Sequence, residues 1–98
     1  MLPLQADLEN TFNQWMDWIA NGRRLSKHTV RAYQTDLTDF FNFLSAHLGH
    51  AVALKDLSDL KLSNFHSWLA KKAAGEVSKR SRARAVSSVR HFYRLSLI

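Results

Sequence analysis

His91 and Arg94 stand three residues apart with Tyr93 between them, in the run SKRSRARAVSSVRHFYRL at 78–95. A histidine and an arginine can hold a phosphate together, and a tyrosine hydroxyl can attack one. That chemistry needs all three side chains on one side. At about 100° per residue on a helix, His91 and Arg94 share a face and Tyr93 lies about 200° from His91. H-x-x-R is also a short pattern that arises often by chance, so the run is not read as catalytic. No Gly-rich phosphate loop and no Ser-His-Asp arrangement appears elsewhere. The histidines His28, His47, His50, His66 and His91 fall on three helices and a loop without ligand spacing, and there is no cysteine. No metal and no other cofactor is expected.

The same wheel divides the run into two faces. Val86, Val89 and Tyr93 fall within about 60° of one another with Leu97 nearby, and form the expected core stripe. Arg80, Arg84, Ser87, His91 and Arg94 form a stripe on the opposite side within about 80°, bordered by Ala83 and Arg90. Lys79 opens the helix, and Arg82, near the apolar side, is expected to snorkel outward. Arginine makes bidentate contacts to phosphate or to guanine O6/N7, and Ser and His add shorter hydrogen bonds. Solvated helices usually mix Glu with Lys at i,i+4, but no acid interrupts this stripe, so its cations repel until something neutralises them. Lys79, Arg80, Arg84, Ser87, Arg90, His91 and Arg94 are therefore candidate DNA-binding residues. The plain alternative is a solubilising face.

The elements that position these residues follow from length and composition. Ninety-eight residues make one domain, 1–98, and 46% hydrophobic content with eleven Phe, Trp and Tyr suffices for a core. The absence of cysteine fits a reducing compartment, and no 18-residue apolar run or signal peptide is present, so a cytoplasmic location without membrane contact is expected. The net charge of +6 is one-sided: residues 71–98 carry eight Lys/Arg against the single acid Glu76, and residues 1–70 are nearly balanced. Such a field suits a polyanion.

Gly22, Gly49 and Gly75 divide the chain into four segments with helical rather than alternating periodicity. The first helix is expected over Leu4–Asn21, with Leu8, Phe12, Trp15, Met16 and Ile19 inward and Trp18 just beside that stripe. The second is expected to start from an N-cap at Ser26 and to end near Leu48, the third to cover Leu60–Ala74 with Leu62, Phe65, Trp68 and Leu69 inward, and the fourth to run from an N-cap at Ser78 to about Leu95. HAVALKDLS is expected to be a loop with at most one short turn. On the second helix Val30, Tyr33, Leu37, Phe40, Phe41 and Leu44 face inward. Opposite them lie Lys27, Arg31, Gln34, Thr35 and Thr38, with His28 at the flank and Asp36 and Asp39 to the side. These polar residues are a second candidate DNA-binding set, since Gln and Thr read base edges and Lys and Arg hold phosphates. The apolar end LSLI reads as a chain cut before its next element.

LSKHTVRAYQTDLTDFFNFL resembles the LS-x-x-T-x-x-x-Y-x-x-D-L-x-x-F segment of tyrosine recombinases of the Xer and phage-integrase type, matched by Leu25, Ser26, Thr29, Tyr33, Asp36, Leu37 and Phe40. RSRARAVSSVRHFYRL is similar to their R-x-L-S-x-L-R-x-F-Y segment through Arg84, Val86, Ser87, Val89, Arg90, Phe92 and Tyr93. The resemblance extends from about residue 8 to 95 and is nearest to the bacterial Xer recombinases. Lys27 stands where the family often has Pro, and Val86 where it often has Leu. The resemblance implies an all-α, SAM-like core-binding domain: a four-helix orthogonal bundle of two crossed helical hairpins. It implies one half of a clamp around duplex DNA, with the second and fourth helices facing the major groove, and recombinase subunits as partners in a homo- or hetero-tetramer on DNA. The family's catalytic residues lie in a C-terminal domain, so strand cleavage is not expected of this chain. The full protein would resolve chromosome dimers or integrate a mobile element. Two readings from other classes compete. One is a helical protein–protein module using Trp18 and LSLI as its contact surface. The other is an autonomous helix-turn-helix repressor, which the long LGHAVALKDLSDLK connection disfavours.

Overall fold

Two serines and one glycine set the limits of the long helices. In the computed structural model, which describes residues 2–22, 25–75 and 77–97, Ser26 caps helix α2 (Lys27–Leu48) by accepting the Thr29 N–H at 3.1 Å. Ser78 caps α5 (Lys79–Ser96) by accepting the Ser81 N–H at 3.1 Å. Each satisfies a donor that the first helical turn leaves without a partner. Gly49 ends α2 at φ 81°, a left-handed conformation that only glycine adopts without strain, and its N–H reaches Ser45 O at 2.8 Å. Between these helices lie α3 (Leu54–Asp59) and α4 (Leu62–Ala74). Neither has a side-chain cap of the serine kind. Instead Asp56 Oδ2 and Asn64 Oδ1 reach back to the backbone N–H groups of Ala53 and Lys61, both at 2.8 Å.

The first helix is shorter than its hydrophobic pattern predicts. Helix α1 (Ala6–Asp17) begins two residues after Leu4 because Leu4 is committed elsewhere, in a parallel bridge to Val52. Val52 N–H donates to Pro3 O and Gln5 N–H donates to Val52 O, both at 2.8 Å. At its other end α1 widens into a π-helical turn, Trp18–Gly22, which buries Ile19 and leaves Trp18 38% exposed. The expected third helix starts at Leu62 rather than Leu60, so Leu62 stands in its first turn and is exposed rather than inward, and the expected loop before it contains α3, whose Leu57 is buried.

The fold is all-α, and its core is aromatic at the centre. Phe12 of α1, Phe41 of α2 and Phe92 of α5 meet edge-on, with ring centroids 5.3 Å (Phe12–Phe41), 5.8 Å (Phe41–Phe92) and 6.2 Å (Phe12–Phe92) apart. Trp15 closes on Phe92 at 5.4 Å. A second cluster joins α2 to α4 through Phe40 and Trp68 at 4.8 Å. Each such pair adds about 0.5–1.5 kcal/mol beyond the apolar area it buries.

Helix α5 turns inward by an arc different from the one its hydropathy predicts. Ala85, Ser88, Val89 and Phe92 are its buried residues, whereas Val86, Tyr93 and Leu97 are half-buried. The correction has a packing cause. The helix lies against α1, α2 and α4 at once. Phe92 enters the α1–α2 cluster, and Val86 and Tyr93 turn toward α4. Ser88 tolerates complete burial because its hydroxyl has acceptors in Asp36 Oδ2 at 2.8 Å and Arg84 O at 2.9 Å. Arg82 does not extend outward as expected. It is half-buried, and its guanidinium folds back to donate to Val77 O.

Tyr93 anchors α5 to α3: its hydroxyl donates to Leu57 O at 3.0 Å, and burial pushes its pKa well above the usual phenol value. The folded state thus holds this proton more tightly than the unfolded chain. Its contribution to stability is complete below the unfolded pKa of about 10 and is lost as pH rises above it. Tyr93→Phe is expected to lessen the loss of stability in strong alkali, measured as the difference between the two proteins' urea midpoints at neutral and high pH. Truncating the central ring in Phe92→Ala is expected to cost about 3–5 kcal/mol. Much of the stability of a domain this size would go with it, and the urea midpoint would fall sharply with a nearly unchanged m-value.

Candidate nucleic-acid interface

Helices α2 and α5 pack against each other, and both carry candidate residues. On α2, Lys27, His28, Arg31, Gln34 and Thr35 are exposed, and Thr38 is half-buried. The amphipathic pattern requires this outward set, since Leu37, Phe40, Phe41 and Leu44 are buried on the other side. Thr35 donates its hydroxyl to Arg31 O at 3.0 Å, so it meets a ligand as an acceptor unless that bond opens. On α5, Lys79, Arg80, Arg84, Ser87, Arg90 and Arg94 are exposed, and His91 is half-buried. Among the described residues no carboxylate lies within ion-pair distance of Lys79, Arg80, Arg90 or Arg94.

Two members of the expected α5 stripe differ from the rest. Arg84 is not an uncompensated cation. Asp36, which the helical wheel assigns to the side of α2, is buried at the seam, and Arg84 donates to it through both Nε (to Oδ2) and Nη2 (to Oδ1) at 2.9 Å. An acid therefore does meet the stripe, supplied by another helix rather than by α5. Hydrogen bonding to Asp36 raises the Arg84 pKa further above its already high value, against the opposing effect of partial burial. His91 does not project outward with its neighbours. Its Nδ1 accepts from Trp15 Nε1 at 3.1 Å, and its ring packs within 6 Å of Trp15, Trp18 and Tyr33. Tryptophan can only donate here, so Nδ1 carries no proton in this arrangement.

Asp39 also turns to a neighbouring helix. Its Oδ2 accepts from Trp68 Nε1 at 3.1 Å and pairs with Lys72 Nζ at 2.7 Å, and Lys72 lies 5.4 Å from the Trp68 ring centroid. Both acids of α2 thus join helices: Asp36 to α5 and Asp39 to α4. The sequence held one signal for Asp36. It occurs at helical spacing within the apolar series Tyr33, Leu37, Phe40, and an acid there needs a partner inside. Trp15, expected only in the core, proves to be the polar partner of His91, and Ser88, to which the sequence gives no role, that of Asp36.

The HFYR run is divided as its helical spacing predicts in one respect, since Tyr93 turns to Leu57 and away from Arg94, which is exposed. The other histidines are dispersed. His47 faces Asn64 at 3.2 Å, His50 faces Ala51 O at 2.9 Å, and His66 borders a groove between α4 and α5. Among the described residues no three metal-ligating side chains of the His, Asp or Glu kind come together. No helix of the described residues is long and apolar enough to cross a membrane.

Comparison with known proteins gives this surface a context. The chain is 39% identical over 90 residues to the tyrosine recombinase XerC of Rhodospirillum centenum, an alignment covering 92% of this chain and 26% of that protein. It is 32% identical over 94 residues to XerC of Brucella suis, covering 96% of this chain and 30% of the relative. With XerC of Agrobacterium fabrum the identity is 31% over 86 residues, covering 88% and 27%. The chain therefore spans between a quarter and a third of the length of these curated relatives. No solved structure matches it. The family described as phage integrase, N-terminal SAM-like domain, matches residues 12–97, and the chain belongs to that family.

Proposed function

We propose that this domain is the DNA-gripping N-terminal part of a Xer-like site-specific tyrosine recombinase. Four long helices arranged as two crossed hairpins would form one half of a clamp on duplex DNA. Helices α2 and α5 would face the major groove, and strand cleavage would be carried out by residues outside this chain. Recombinase subunits assembled as a tetramer on DNA are the expected protein partners. Chromosome dimer resolution in the cytoplasm is the expected use, with integration of a mobile element as the alternative. The observation that carries this reading is the exposed basic surface of α5, where Lys79, Arg80, Arg90 and Arg94 have no acidic partner among the described residues. Lys27, His28, Arg31, Gln34, Thr35, Thr38 and Ser87 extend the candidate surface along both helices. His91 contributes from the margin, because its ring is already packed against Trp15.

A second reading, a helical protein–protein module, is favoured by exposed apolar residues. Leu62 is 70% exposed at the edge of an apolar groove of about 330 Å³ between α4 and α5, and Trp18 and Leu95 are 38% and 44% exposed. Ile98, the last residue of the LSLI end, lies outside the described residues.

Titration of duplex DNA against salt separates the two readings. Binding to a phosphate surface weakens with salt in proportion to the contacts made. Arg80→Ala and Arg94→Ala are each expected to weaken binding and to lower the slope of log K against log salt by about one per lost phosphate contact. An unchanged slope in both variants would remove this face as the interface. Absence of binding to any duplex at low salt, together with a stable dimer in solution, would favour the protein–protein module.

A further inference from the structure

Arg84 differs from every other exposed arginine of α5 in being held before any ligand arrives. Asp36 is 3% exposed, and its two oxygens take three bonds: Oδ1 from Arg84 Nη2 at 2.9 Å, and Oδ2 from Arg84 Nε at 2.9 Å and Ser88 Oγ at 2.8 Å. A guanidinium is planar and carries five N–H groups. The Nε–Nη2 edge spends two of them on Asp36. The Nη1 group and the second hydrogen of Nη2 form the adjacent edge, which has no hydrogen-bond partner among the described residues. Because the group is planar and its Nε–Nη2 edge is fixed on a buried carboxylate, the direction of this second edge is fixed as well. The Arg84 side chain is 43% exposed.

Stitching α2 to α5 does not by itself require these residues, since a buried ion pair is often no more stabilising than apolar side chains of similar volume. What the pair supplies that an apolar contact would not is an arginine fork of fixed direction. A free surface arginine loses rotamer freedom when it binds, and Arg84 has already lost it. We propose that Asp36 is a positioning residue that holds Arg84 with its Nη1 edge presented at the α2–α5 surface. There it takes one acceptor group of duplex DNA, a phosphate oxygen or the O6/N7 edge of a guanine. The proposal rests on the DNA-binding reading above.

The test uses three variants against a pool of random-sequence duplexes, with melting curves to verify folding. Asp36→Leu combined with Arg84→Met replaces the pair by apolar residues and leaves the net charge at +6. Total charge therefore cannot account for a change in binding. This variant is expected to bind about tenfold more weakly. If the acceptor is a phosphate, the salt slope falls by about one and weakening is uniform across sequences. If it is a guanine, the slope holds and preference relaxes at one base pair. Asp36→Asn keeps Arg84 and adds one positive charge, yet is expected to bind more weakly in about 0.15 M salt, where exposed charges are screened. Ser88→Ala, a milder change that withdraws one bond from Asp36, is expected to act in the same direction. In the wild-type chain the Arg84 Nε–H is expected to be a slowly exchanging NMR resonance before and after DNA is added, and to lose that protection in Asp36→Asn. Wild-type binding by the double variant, with the same slope and preference, would reduce the pair to a helix staple and overturn the proposal. Tighter binding by Asp36→Asn would overturn the positioning role. If the wild-type chain itself binds no duplex, the DNA-binding reading fails first and takes the proposal with it.

Discussion

A carboxylate with almost no access to water is the constraint around which the helices are arranged. Asp36 stands on the inner face of α2, and a charge in that position is tolerated only if its oxygens are well supplied with donors. Arg84 and Ser88 supply them, and they can do so only when α5 crosses α2 in one register. The bidentate geometry holds that register, because a slide of one residue along α5 would separate both arginine bonds and the serine bond together. The rotation of α5 follows from the same junction: with Arg84 and Ser88 on Asp36, Phe92 enters the α1–α2 cluster, and Val86 and Tyr93 are left for α4.

The rest of the core extends this register in two directions. Toward α1, the rings of Phe12, Trp15, Phe41 and Phe92 interlock, and Trp15 uses its single polar atom on His91. Toward α4, Phe40 and Trp68 pack face to edge while Asp39 takes the Trp68 indole N–H and the Lys72 ammonium. Helix α2 is thus the axis of the domain. Its apolar stripe forms the core, and its two acids fix the helices on either side. The outward remainder of α2 and the cationic residues of α5 are left exposed by the same packing.

Much of this was legible in the residues. Ser26, Ser78 and Gly49 mark helix limits by local chemistry, and the structure uses each as its type predicts. The inward stripes of α1 and α2 are also where their periodicity places them. What could not be read was long-range. Leu4 looks like the first turn of an amphipathic helix, and only the proximity of Val52 converts it to a bridge. Arg84 and His91 look outward on an isolated wheel, and only Asp36 and Trp15, far away in sequence, turn them to other partners. Val86 outranks both Ala85 and Ser88 in hydropathy, yet the buried arc follows the space left between three helices. A wheel describes one helix against an undifferentiated interior, whereas this interior has a carboxylate in it.

The bridge between Leu4 and Val52 has a bearing on how the chain assembles. Two backbone bonds join the segment before α1 to the segment after α2, so both helices lie inside a closed loop. Closing a loop of that length is entropically costly and is rewarded only after the helices within it have packed. The bridge is therefore expected to form late and reversibly rather than as a nucleus. Amide exchange at Gln5 and Val52 should proceed through local opening, independently of the slow exchange of the α2–α5 junction.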